Sequence, residues 1–98
     1  MKSGKRIRIT WDSWSIDHIK KHGVNTTEVR EAVKSNVLVK PTYLDRKVIY
    51  GITKKKRYLT VVISFEKQAE GYIVSARDMS IKERKIYESE KNKTDKTI

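Results

Sequence analysis

The chain contains no cysteine, which excludes disulfides, thiolate metal sites and cysteine nucleophiles. It has no apolar run near the roughly 18 residues that a membrane-spanning helix needs. Its N-terminal stretch, MKSGKRIRIT, is basic but is not followed by an apolar segment, so it does not read as a secretory signal. The cytoplasm is the expected compartment. Acidic residues are scarce, with 12 Asp and Glu against 23 Lys and Arg, for a net charge of +11. Apolar residues make up 37% of the 98 residues, enough for one modest core and hence one domain. That domain is expected over residues 1–90, with a polar, disordered tail at 91–98.

The excess charge sits in the body of the chain. From Glu88 onward, Lys91, Lys93 and Lys96 balance Glu88, Glu90 and Asp95, so the whole +11 falls on residues 1–87. A basic body presents a charged surface in fixed geometry. Such a surface attracts polyanions and repels itself when alone. RNA, DNA and an acidic protein all satisfy that requirement.

The apolar pattern predicts an α+β chain. Lys5, Ile7, Ile9 and Trp11 alternate with Arg6, Arg8 and Thr10, which predicts a short strand. Ser13 is the expected cap of a short helix through about His22, with Gly23 at its C′ position. A second helix is expected from about Thr26 to Ser35. It has Asn25 as N-cap, Glu28 at N3 and a Val24–Val29 staple, and it buries Val29, Ala32 and Val33. Val37 to Val39, stopped by Pro41, reads as an edge strand or connector. Strands follow over Leu44–Thr53, Tyr58–Glu66 and Tyr72–Asp78, joined at Lys54-Lys55-Lys56 and at Lys67–Gly71. In Tyr58–Glu66, Leu59, Val61, Ile63 and Phe65 share one face, and Tyr58, Thr60, Val62 and Ser64 the other. Ser80-Ile81-Lys82-Glu83 is a capping box that opens a last helix through about Glu90. The expected architecture is an antiparallel meander packed by two N-terminal helices, with a C-terminal helix.

Three basic groups carry the candidate chemistry. They are Arg46 with Lys47, the hairpin tip Lys54, Lys55, Lys56 and Arg57, and Arg77 followed by Arg84 and Tyr87. Arg84 and Tyr87 are three apart and share a helix face. Cleavage of a phosphodiester by its own 2′-hydroxyl needs a base, an acid and a cation to steady charge at phosphorus. Arginine suits the cation's task because its fork meets phosphate oxygens in pairs. The plainer readings are a solvated lysine turn, Arg77 paired with Asp78 or Glu83, and Tyr87 packed on the sheet. His18 and His22 have the i, i+4 spacing of a metal pair, but no third ligand stands nearby. No metal and no cofactor is expected, and a packing role at a helix end suits both histidines better. Trp11 and Trp14 read as packing residues, with base stacking as the alternative.

Several segments together resemble the BrnT family of ribonuclease toxins. They are Trp11-Asp12, then Lys21-His22-Gly23-Val24, then Arg46-Lys47-Val48-Ile49-Tyr50-Gly51 and Arg57-Tyr58-Leu59-Thr60-Val61-Val62, and finally Ile73-Val74-Ser75-Ala76-Arg77 with Glu83-Arg84 and Tyr87. The resemblance spans about residues 9–90. It implies a small RelE-like domain, metal-independent RNA cleavage, and neutralisation by a ribbon-helix-helix antitoxin of the BrnA kind, with operator DNA reached only through that complex. It places Arg46, Arg57, Arg77, Arg84 and Tyr87 on catalytic motif positions. Arg77 and Arg84 would handle phosphate, and Tyr87 would act as acid, base or positioning group. Lys47, Lys54, Lys55, Lys56 and His22 are the candidate RNA contacts. The chain departs from the family pattern at His18, where many members carry Asn. It departs again at Lys56, which stands where a glycine commonly precedes the hairpin arginine. A non-catalytic nucleic-acid-binding module and a protein-interaction subunit are the competing readings.

Overall fold

A computed structural model of the chain describes residues 8–35, 38–42, 45–65 and 70–95. Along the chain these residues form β1 (Arg8–Thr10), α1 (Ser13–Lys20), α2 (Thr26–Lys34), β2 (Leu38–Pro41), β3 (Arg46–Ile52), β4 (Tyr58–Ser64), β5 (Glu70–Asp78) and α3 (Ile81–Asp95). The α+β class is as expected. The parts of the expected strands at residues 5–7, 37, 44 and 66, and most of the Lys67–Gly71 turn, lie outside the described residues.

Five strands form one sheet in the order β1-β5-β4-β3-β2. The β2–β3, β3–β4 and β4–β5 pairs are antiparallel, as hairpin-length turns dictate. The strand β1 is parallel to β5, with Ile9 opposite Gly71, which makes the sheet mixed. Parallel neighbours need a long connection, and the intervening helices and strands supply it. Pro41 ends β2 rather than stopping the chain short of it. Edge position makes that possible, because the N–H a proline lacks is not needed on the outer side.

Helices α1 and α2 cover one face. Ile19, Val24, Val29, Ala32 and Val33 pack there against Ile49, Leu59, Val61, Ile63, Ile73 and Ala76. Each fully buried aliphatic side chain of this kind contributes about 1.5–3 kcal/mol. The contact is close at Gly51, where a side-chain methyl would drive into the Ala32 backbone carbonyl. The cap of α2 is as the sequence predicts. Asn25 Oδ1 accepts the Glu28 N–H (2.8 Å) and Glu28 Oε1 accepts the Asn25 N–H (3.0 Å).

The cap of α1 is Asp12 rather than Ser13. Its carboxylate accepts the Ser15 N–H, and the Ser15 hydroxyl accepts the Asp12 N–H in return. Ser13 becomes the first helical residue, because Ser15 at N3 completes a reciprocal pair only with Asp12. The other end of α1 is a Schellman stop. Gly23 takes φ +69°, its N–H donates to Lys20 O (2.9 Å), and the Val24 N–H donates to Ile19 O (3.1 Å). Lys21-His22-Gly23-Val24 is therefore the machinery that ends one helix and starts the next.

Ile73 and Ala76 both face the core although they are three apart. The register explains it, because Ile63 pairs with Ile73 while its neighbour Val62 pairs with Ser75. Val74 is the extra residue of a β-bulge, which shifts the alternation between the two halves of β5. At the far end α3 continues to Asp95, past the expected stop near Glu90. Among the described residues no helix is long and apolar enough to cross a membrane.

Candidate functional site

The second face of the sheet carries the polar chemistry. Opposite the aliphatic row of β4 lie Tyr58, Thr60, Val62 and Ser64, as alternation predicts. Register aligns Tyr50 on β3, Thr60 on β4 and Arg77 on β5 into one row across the three central strands. The first turns of α3 lie over this row.

Glu83, on the first turn of α3, is the hub. Its Oε1 accepts from Arg77 Nη1 (2.7 Å), the Ser80 N–H (2.8 Å) and the Thr60 hydroxyl (3.1 Å), while Oε2 accepts from Arg77 Nη2 (2.8 Å). The Ser80 hydroxyl accepts the Glu83 N–H at 3.1 Å, which completes the expected capping box. These bonds, led by the one from Arg77, hold the Glu83 carboxyl down at about 2 against the opposing effect of burial. Arg77 Nη1 also donates to the Asp78 carbonyl at 3.0 Å. Of Arg77's five donors three are spent in these bonds among the described residues, and its side chain is 44% exposed. The Tyr50 phenol is pushed up by burial and by the Glu83 charge, with Arg77 opposing. At 7% exposure it keeps a little access to solvent.

Arg84 and Tyr87 share a helix face, as their spacing predicts, and both meet Tyr58. The Arg84 guanidinium lies over the Tyr58 ring at 4.0 Å, and Tyr87 meets that ring edge-on at 5.6 Å. The Tyr58 hydroxyl donates to Glu88 at 3.0 Å, and Arg84 Nε is 3.9 Å from the same carboxylate. Tyr58 is two residues from Thr60, so Arg84 sits roughly 7 Å along the strand from the Arg77 row. Arg77 and Arg84 thus lie on the same side of the molecule. Tyr87 is 1% exposed, and burial, with Tyr58 and Glu88 beside it, pushes its phenol up. It is the packing residue that seats α3.

The other candidates are spread out. Arg46 shares the polar face, paired with Ser64, but it lies four residues along β3 from Tyr50, roughly 13 Å of strand. Lys47 turns to the opposite face, with Nζ 5.4 Å from the Phe65 ring. Lys54, Lys55 and Lys56 are exposed at the hairpin tip, at the same end of the sheet as Arg77. Lys56 takes φ +68°, a conformation that glycine tolerates better.

Arg57 has all its donors occupied. Nε and Nη2 grip Asp78 (2.7 and 3.2 Å), Nη1 reaches Gly23 O (2.7 Å) and Glu28 (3.1 and 3.2 Å), and Nη2 reaches His22 O (3.3 Å). Its pKa is raised, chiefly by the bond to Asp78, and that bond in turn lowers the Asp78 carboxyl. It is a clamp joining the β4 start, the β5 end and the α1–α2 loop. His22 contributes its carbonyl to this clamp. Its exposed ring meets His18 edge-on at 5.8 Å, and His18 stacks on Trp14 at 4.9 Å. Among the described residues no group of three or more His, Cys, Asp or Glu could hold a metal.

In the sequence Glu83 reads as a cap and an ion-pair partner, and Tyr50 and Thr60 read only as strand residues. The usable signal was the alternation of β3 and β4, which puts a phenol and a hydroxyl opposite the aliphatic face.

No protein-family profile matches the chain, and no curated protein does. Among solved structures it is similar to the 1.1 Å crystal structure of the Brucella abortus ribonuclease toxin BrnT. The TM-score is 0.61 at 23% sequence identity, over 76% of this chain and 99% of that one. The five-stranded mixed sheet with its three helices is therefore the fold of that toxin, reached here with a different set of residues at about three positions in four.

Proposed function

We propose that this chain is a toxin-type endoribonuclease that cleaves RNA by 2′-hydroxyl attack without a metal. The observation that carries the reading is the row Tyr50–Thr60–Arg77, with Arg84 beside it, on the one sheet face not packed into the core. Arg77 is the phosphate fork, and Arg84 steadies the charge that develops on the same group. Tyr50 carries the phenol proton that can serve the leaving oxygen, while the 2′-hydroxyl proton passes to solvent water. Arg46 and the hairpin lysines contact flanking phosphates, since the spacing from Arg46 to the row is too long for one phosphate group. Fold likeness to a ribonuclease toxin and the basic body support the same reading. A ribbon-helix-helix antitoxin with an acidic surface would mask this face, and the antitoxin, not this chain, would hold operator DNA.

A second reading, a non-catalytic RNA-binding module of the same fold, is favoured by the burial of Tyr87, the phenol that the family resemblance puts forward for proton transfer. Incubation of purified protein with RNA in EDTA separates the two. Cleavage that falls at least a hundredfold in Arg77→Ala and Arg84→Ala, with RNA still bound and the circular dichroism unchanged, supports the nuclease. Intact RNA with salt-sensitive binding supports the module and ends the nuclease reading.

A further inference from the structure

A guanidinium has two edges that can each meet an oxyanion with a pair of parallel hydrogen bonds. The end edge is formed by Nη1 and Nη2, and the side edge by Nε and Nη2. In Arg77 the end edge is taken by Glu83, and the second Nη1 proton is taken by the Asp78 carbonyl. Among the described residues, what remains is Nε–H with one Nη2–H, which together are the side edge. We infer that Glu83 is a positioning residue whose carboxylate holds the end edge of Arg77, so that the side edge is presented to a phosphate of the RNA substrate. The inference rests on the reading that RNA is bound on this face.

The hold is rigid for three reasons. Glu83 is itself fixed from three directions, by Arg77, the Ser80 amide and the Thr60 hydroxyl. Its side chain is only 17% exposed, so water competes weakly for its lone pairs. Thr60 stands directly across from Arg77 in the β4–β5 register, so the carboxylate is tied to the strand that neighbours the arginine's own. A side chain with about 2 kcal/mol of rotamer entropy is thereby ordered before the substrate arrives.

The arrangement carries a cost that identifies its purpose. A carboxylate beside a phosphate subsite repels the ligand, and it cancels much of the Arg77 charge at long range. A residue there to attract RNA would be better without Glu83. A residue there to fix the angle of a fork is better with it. Glu83 should therefore matter for turnover and work against affinity.

Glu83→Gln tests this in the full chain. The amide keeps the shape, but its N–H₂ points at the arginine's own donors, so only one of the two parallel bonds survives. On a short single-site RNA, kcat is expected to fall tenfold or more while KM stays level or drops. Ser80→Ala is the control for the capping role. It removes the bond to the Glu83 N–H, lowers thermal stability and leaves kcat within about twofold. A folded Glu83→Gln chain with wild-type kcat, or one whose defect is entirely a raised KM, overturns the inference.

Arginine side-chain NMR gives a readout that does not depend on cleavage. Titration with inorganic phosphate is expected to shift Arg77 Nε–H more than its η protons in the wild type, and the η protons more than Nε–H in Glu83→Gln, where the end edge is open. Equal shifts in both proteins, or none in the wild type, overturn the inference. A wild type that leaves RNA intact but shows the phosphate shift retires the nuclease reading and keeps the role of Glu83.

Discussion

The two faces of the sheet are built on different principles. Under α1 and α2, Ile49, Leu59, Val61, Ile63, Ile73 and Ala76 are wholly buried, and the fit is close enough that Gly51 has no room for a methyl. On the α3 side, Val48, Val62 and Ser75 are only half-buried. Beyond the seating of Tyr87, the order there comes from hydrogen bonds among Thr60, Arg77 and Glu83. One face supplies the stability and tolerates little change. The other is arranged around directed bonds, whose loss should alter behaviour more than it alters folding.

Five substitutions sharpen or break that contrast. The largest effect is expected at Gly51→Ala, where the new methyl meets the Ala32 backbone and cannot be relieved by a side-chain rotation. A loss of about 4 kcal/mol or outright failure to fold should appear in urea titration. A near-wild-type midpoint would show that α2 can lift off the sheet. Next come adjacent residues on opposite faces. Ile63→Ala should cost about 3 kcal/mol and Val62→Ala about 1, in the same denaturation experiment. Equal losses would mean that the α3 face is as tightly packed as the core.

Arg57→Ala should cost about 2 kcal/mol, because Asp78, Glu28 and the carbonyls of His22 and Gly23 lose a shared donor. For a chain of this size that is a fall in melting temperature of roughly 10 °C. If Arg57→Ala abolishes RNA cleavage in protein that melts normally, the clamp is also part of the chemistry. The smallest effect has the opposite sign. Lys56→Gly relieves a left-handed backbone at φ +68° and should raise stability by about 1 kcal/mol. A thermal melt that does not rise would mean that the lysine stem makes a compensating contact.

Much of this molecule is legible residue by residue. The capping boxes at Asn25 and Ser80 and the left-handed stop at Gly23 are local, so four or five neighbouring letters suffice to predict them. The strand β4 is equally plain, because alternation needs only its own seven residues. What was hidden is non-local. Arg57 reaches partners 21 to 35 residues away, and nothing near it in the chain marks it as a clamp rather than a surface cation. The parallel pairing of β1 with β5 joins residues about 62 positions apart. The site was half-legible. Arg77, Arg84 and Tyr87 were visible as a spacing, but whether a tyrosine on a helix face points outward or seats the helix is decided by Tyr58, 29 residues earlier.

The bulge at Val74 has a bearing on how this chain can vary. If β5 kept all its residues but paired in plain alternation, sending Ile73 inward would send Ser75 and Arg77 inward with it. Removing Val74 would instead restore plain alternation, with Ile73 and Ala76 still inward and Ser75 and Arg77 still outward. The surplus residue is therefore dispensable for the facing of β5, and what it adds is a local bend and a stronger twist of the strand.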